Sequence, residues 1–91
     1  MMTPAPKVPV VEVPGEGLLA YLGKPVTLFC ANYFYTGVLL GVNDTCVKLG
    51  NAHLIYETGP FTTKGWADAQ KLPGDEWYVQ TVAIESFGGV K

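Results

Sequence analysis

Arginine is missing from this chain of 91 residues, and all six of its basic residues are lysines. Without a guanidinium there is no planar fork for bidentate phosphate contacts, and a net charge of −2 leaves no broad cationic stripe for a polyanion. Composition thus disfavours strong non-specific binding of nucleic acid. Cysteine is scarce: Cys30 and Cys46 stand in strand-like runs with neither CxxC nor Cys/His spacing. That argues against zinc and redox chemistry and for thiols acting as small apolar residues. The single histidine, His53, has no Ser, Cys or carboxylate at a telling spacing, so the chain reads as a non-enzyme with no metal and no cofactor. No apolar run approaches the ~20 residues of a membrane-spanning helix. The first residues lack the charged start and apolar centre of an export signal, which makes the cytoplasm the expected compartment and excludes a membrane partner.

What is present is apolar. Hydrophobic residues make up 48% of the chain and charged residues 15%, more apolar surface than one small barrel hides by itself, so part of it is expected to meet another subunit. Met1 to Pro14 carry Pro4, Pro6, Pro9 and Pro14, which fix φ and remove donors. The interleaved Val8, Val10, Val11 and Val13 make an extended arm, residues 1–14, expected to lie along its own barrel or a neighbour's. Residues 15–91 form the single domain.

Within that domain Gly15-Glu16-Gly17 opens a short apolar helix, Leu18 to Leu22, which Gly23 ends. From Pro25 the period becomes two, with Val26, Leu28 and Cys30 facing one way and Thr27, Phe29 and Ala31 the other. Asn32 signals a turn, and Tyr33 to Val42 alternates again with Gly37 and Gly41 where the strand must bend. After Asn43-Asp44, Cys46 to Tyr56 predicts a third strand with Val47 and Leu49 inward, Lys48 outward and a weak point at Gly50-Asn51. Residues 57–76 contain Gly59-Pro60, Gly65 and Pro73-Gly74 and predict a long connection, with a helical turn at Ala67-Asp68-Ala69-Gln70. Trp77 to Val79 and Thr81 to Phe87 complete a helix followed by five bent strands.

The run Leu18 to Asn43 resembles the first motif of the Sm/LSm (Sm-like, Hfq-related) family through Leu22, Gly23, Lys24, Val26, Leu28, Gly37, Leu39, Gly41 and Asn43. Val79 to Phe87 resembles the second motif in apolar spacing, with Gln80 and Thr81 in place of its Arg-Gly pair. The resemblance implies a mostly β, SH3-like, five-stranded, bent antiparallel barrel with a short N-terminal helix. It also implies a homo-oligomeric ring of roughly five to seven copies, closed by pairing of the last two strands between neighbours. Such a ring would repeat each lysine around its axis.

In that family a turn between the second and third strands and the Arg of the second motif hold a uridine. An ungapped count from Gly37 places Asn43, Thr45 and Val47 at the reading positions but turns Lys48 inward. One deletion in the turn keeps Val47 and Leu49 inside and selects Asp44 and Cys46. In both registers the stacking aromatic, the Asn and the Arg are absent. The candidate RNA contacts are accordingly Asn43, Asp44, Thr45 and Cys46 in the turn, Gln80 and Thr81 at the pore, and Lys64 and Trp66 in the long loop. Asp44 also suits a turn residue bonding its own backbone, and Gln80 a polar residue at a strand break. Tyr33, Phe34, Tyr35, Phe61 and Trp66 suit either base stacking or packing. The leading expectation is an RNA-associated ring that binds single-stranded RNA without catalysis. The alternatives are a structural or protein-interaction ring that has lost the uridine pocket, and a monomeric SH3-like adaptor for extended peptides.

Overall fold

A computed structural model describes residues 15–91; the expected Pro-rich arm lies outside them. Six strands follow in order: β1 (Pro25–Cys30), β2 (Phe34–Val42), β3 (Cys46–Glu57), β4 (Asp68–Lys71), β5 (Glu76–Gln80) and β6 (Ile84–Gly88). They form one antiparallel sheet in the order β4-β3-β2-β1-β6, with β5 also pairing β3. The mostly β expectation holds. The expected N-terminal helix is a single 3-10 turn, Leu18–Tyr21, without a side-chain cap. A segment this short, flanked by Gly17 and Gly23 at positive φ, has too few residues to repay helix nucleation.

Alternation along β1 works as its sequence implies. Val26, Leu28 and Cys30 join Leu39, Val47, Leu49, Ala52 and Val79 in the buried core. Val47 and Leu49 are fully buried, the inward orientation that the alternation of the third strand predicts. The opposite face of β1 is also covered, since Thr27 is buried and Phe29 half-buried.

The sheet bends where β2 crosses β3. Thr36 faces His53 and Val38 faces Gly50, so Gly37 stands against both Asn51 and Ala52. This is a bulge in β3, and Asn51 adopts φ 49°, a left-handed conformation that Asn tolerates better than most residues. A second irregularity lies between Leu39 and Gly41. The bulge divides β3 between two partners on one edge. Its first half, Cys46 to Gly50, pairs β5, and its second half pairs β4 from His53 onward. Leu72 to Asp75, with Pro73 lacking an N–H and Gly74 at φ 81°, loop out opposite the bulge.

Strand β4 corrects the expected helical turn at Ala67 to Gln70. Four residues cannot sustain a helix, whereas the second half of β3 offers unpaired backbone groups that β4 satisfies. The long connection is thereby cut to two shorter loops. The five-stranded closed barrel also needs correcting. Among the described residues no pairing joins β4 or β5 to β6, and the sheet stays open. A second 3-10 turn, Thr81–Ala83, spans the gap and includes Thr81, which had been expected in the last strand. The Ala31 N–H donates to the Ala83 carbonyl at 3.0 Å, and the Thr81 N–H to the Thr45 carbonyl at 2.9 Å. One backbone hydrogen bond to each side holds the turn where a closed barrel would need a ladder.

A Cβ at position 37 would sit 2.9 Å from the Gly50 carbonyl oxygen and 3.2 Å from the Ala52 Cα, both backbone atoms that cannot rotate away. Gly37→Ala is expected to cost about 1–3 kcal/mol in urea unfolding. Gly41→Ala, whose Cβ meets nothing nearer than 4.0 Å, should stay within about 0.5 kcal/mol of the parent. Equal effects would rule out the close approach as the reason for the bend.

Candidate functional site

The turn between β2 and β3 is built by Asn43. Its Oδ1 accepts from the Thr45 N–H at 2.8 Å, the Thr45 hydroxyl at 3.0 Å and the Cys46 N–H at 2.9 Å. The Asn43 N–H donates in turn to the Cys46 carbonyl at 2.9 Å. The role of turn residue expected of Asp44 therefore belongs to its neighbour, and the side chain of Asp44 is exposed.

This turn meets the end of β5. Cys46 is paired with Gln80, and the Thr81 hydroxyl donates to the Asp44 carbonyl at 2.9 Å, across 37 residues of sequence. Asn43, Asp44, Thr45, Cys46, Gln80 and Thr81 thus form one lip. Asn43, Asp44, Thr45 and Gln80 are exposed, and Cys46 and Thr81 are half-buried.

A cleft of about 280 Å³ adjoins the lip and is lined in part by Asn32, Tyr33, Tyr35, Tyr78 and Gln80. Tyr33 and Tyr78 are more than half exposed, so aromatic faces stand beside Gln80 although none occurs in the turn motif. Tyr78 escaped the sequence reading, in which Asn32 is a turn residue alone. The signal for Tyr78 was its place between Trp77 and Val79, which turns it to the side opposite the core. Burial pushes the Cys30 thiol up, and Glu85 adds to the effect; burial, then Cys30 and Tyr33, does the same for the Tyr35 phenol. Both groups stay protonated at neutral pH. The Lys48 ammonium bonds Glu76 at 3.1 Å, lies 6.0 Å from the Tyr78 ring centroid, and is held above the usual lysine range first by that carboxylate.

Lys64 and Trp66 fall outside the lip. Lys64 is exposed, and Trp66 lines a larger cavity of about 330 Å³ on the far face of β1, together with Thr27, Phe29, Phe61 and Phe87. Lys91 fastens the roof. Its ammonium donates to the Thr58 carbonyl at 2.6 Å and the Pro60 carbonyl at 2.8 Å, and lies 4.9 Å from the Trp66 ring centroid and 5.7 Å from that of Phe61. No residue pattern points to Lys91, because its partners are backbone oxygens.

Among the described residues no cluster of three or more His, Cys, Asp or Glu could hold a metal ion. His53 Nδ1–H donates to the Asn51 carbonyl at 3.0 Å, a contact that supports the bulge. No described helix is long and apolar enough to cross a membrane. No family model, curated protein or solved structure matches the chain.

Because the Asn43 carbonyl takes three donors, Asn43→Ala should destabilise by about 1–3 kcal/mol in chemical denaturation, while Asn43→Asp keeps the acceptor and most of the stability. The two thiols should also separate by reactivity. Maleimide should label half-buried Cys46 before buried Cys30, read by peptide mass spectrometry.

Proposed function

We propose that the chain is a non-catalytic, Sm-like ring module that binds single-stranded RNA at the lip and cleft around Gln80. The observation that carries the reading is the joining of Asp44 and Thr45 to Thr81 by two hydrogen bonds. It gathers the turn and the β5 end, distant in sequence, into one exposed surface. Tyr33 and Tyr78 offer the stacking faces absent from the turn, and the Gln80 amide has donor and acceptor for a base edge. Lys48, repeated around a ring, supplies modest attraction for phosphate.

Self-association is supported by the open sheet. Among the described residues β6 pairs only β1, and β5 only β3, so each has one edge without a ladder there. Edges of this kind aggregate unless paired or blocked, and head-to-tail pairing of one copy's β5 with the next copy's β6 satisfies both at once. Val82, between these strands and 90% exposed, is an apolar residue that such contacts would cover.

A second reading, a protein-interaction ring that takes no RNA, is favoured by one observation. The Asn43 side-chain carbonyl is saturated by its own turn, so this residue, a reading position in the ungapped register, has no free acceptor for a base.

Native mass spectrometry with short U-rich and A-rich RNAs tests both. A ring mass rising by whole RNA strands is expected, and binding should weaken as salt increases. Tyr78→Ala should weaken the affinity by about 1–3 kcal/mol. A ring that takes up neither RNA would select the second reading, and a monomer would remove the ring and favour the peptide-adaptor alternative.

A further inference from the structure

The larger cavity has features that packing does not require. One wall is the face of β1 turned away from the core, carrying Thr27 and Phe29, continued by Ser86 and Gly88 of β6. The opposite side is loop residues Phe61 and Trp66, held down by Lys91. Phe61 meets Phe29 with ring centroids 6.1 Å apart and is itself 61% exposed, so the space of about 330 Å³ beside them opens to solvent, within the size range of small-molecule sites.

Besides the exposed Ser86, two polar groups break the apolar lining. Thr27 is only 4% exposed, and its hydroxyl has no hydrogen-bond partner among the described residues. The neighbouring Thr36 hydroxyl, by contrast, donates to the Val26 carbonyl at 3.0 Å. A buried hydroxyl left unpaired is costly, and valine would fill the same volume without that cost. The second group is the Lys91 ammonium. Two carbonyls take two of its three protons. No carboxylate pairs with it, the one ion pair among the described residues being Lys48–Glu76. None of the lining side chains is acidic.

We propose that this cavity is a binding site for a small aromatic carboxylate. The ring lies among Phe29, Phe61, Trp66 and Phe87. The carboxylate accepts from the remaining Lys91 N–H and, once the buried Thr27 side chain turns toward it, from the Thr27 hydroxyl, so that the ligand completes the hydrogen bonding of the site. The site shares no lining residue with the cleft around Gln80, and its existence does not depend on the RNA reading.

Three probes with one ring and different charge test this on the full chain: naphthoate, naphthalenemethanol and naphthalenemethylamine, each titrated by calorimetry and by NMR of the two tryptophan indole N–H signals. Naphthoate is expected to bind, to shift the Trp66 signal and not that of Trp77, and to bind about tenfold tighter than the alcohol, with the amine weakest. Thr27→Val should raise the melting temperature of the free protein and yet weaken naphthoate about tenfold. That opposition separates a ligand-binding hydroxyl from a packing one. Lys91→Gln should lose the preference for the acid, and Lys91→Arg should restore it. Absence of naphthoate binding, equal binding of the three probes, or a Thr27→Val affinity equal to the parent's would each overturn the proposal.

Discussion

The close backbone contact between Gly37 and the Gly50–Ala52 stretch is the constraint on which the rest of this molecule depends. With no Cβ at 37, β2 crosses β3 near enough for β3 to bulge at Asn51 and change direction without losing its ladder. A straight β3 would carry one partner along each edge. The bent one carries β2 on one edge and β5 followed by β4 on the other. That division brings Gln80 opposite Cys46 and hence the β5 end to the β2–β3 turn. It also sends residues 58–67, the connection into β4, across the far face of β1. The lip and the aromatic cavity are therefore two consequences of one bend.

Much of this order is readable from residues with local consequences. Period-two runs mark β1, β2 and β3; Gly37 and Gly41 mark the irregularities in β2; Gly50-Asn51 marks the bulge. The turn register follows from requiring Val47 and Leu49 inside, since a slip of one residue would bury Lys48 instead. Strand β4 is not readable in this way. Asp68-Ala69-Gln70-Lys71 has no strand composition, and it pairs because the second half of β3 leaves backbone groups open at that edge. Helix and strand compete there through tertiary contact, which a four-residue window does not contain. The candidate site divides along the same line. The six lip residues are candidates through a sequence resemblance and are brought together by the fold, whereas Tyr78 and Asn32 join them only through the folded sheet, and Lys91 acts through backbone oxygens that no motif records.

The apolar excess of the composition has two destinations in the structure. One is internal, because β1 is covered on both faces: Val26, Leu28 and Cys30 enter the core while Thr27 and Phe29 enter the aromatic cavity. Strands buried on both sides read as nearly continuous apolar runs, and Val26 to Ala31 is such a run broken only by Thr27. The other destination is the surface near the last strands, where Val82 and Tyr78 stand exposed. The inference from composition to self-association is narrowed accordingly. It rests on the β5 and β6 edges and the apolar residues near them, and no longer on the overall hydrophobic fraction.

The two polar centres of the molecule differ in how completely they are satisfied, and that difference separates their roles. Asn43 is exposed and yet uses its carbonyl three times within its own turn, so replacing it would damage the turn before it altered any ligand. Thr27 is buried, and among the described residues its hydroxyl has no partner. A satisfied group near a surface is explained by the fold that it supports. An unsatisfied group in an interior is opposed by that fold, since an apolar residue of the same shape would be more stable there. Selection for stability alone favours Asn43 and disfavours Thr27. The aromatic cavity is consequently the place where the structure departs furthest from what folding by itself requires.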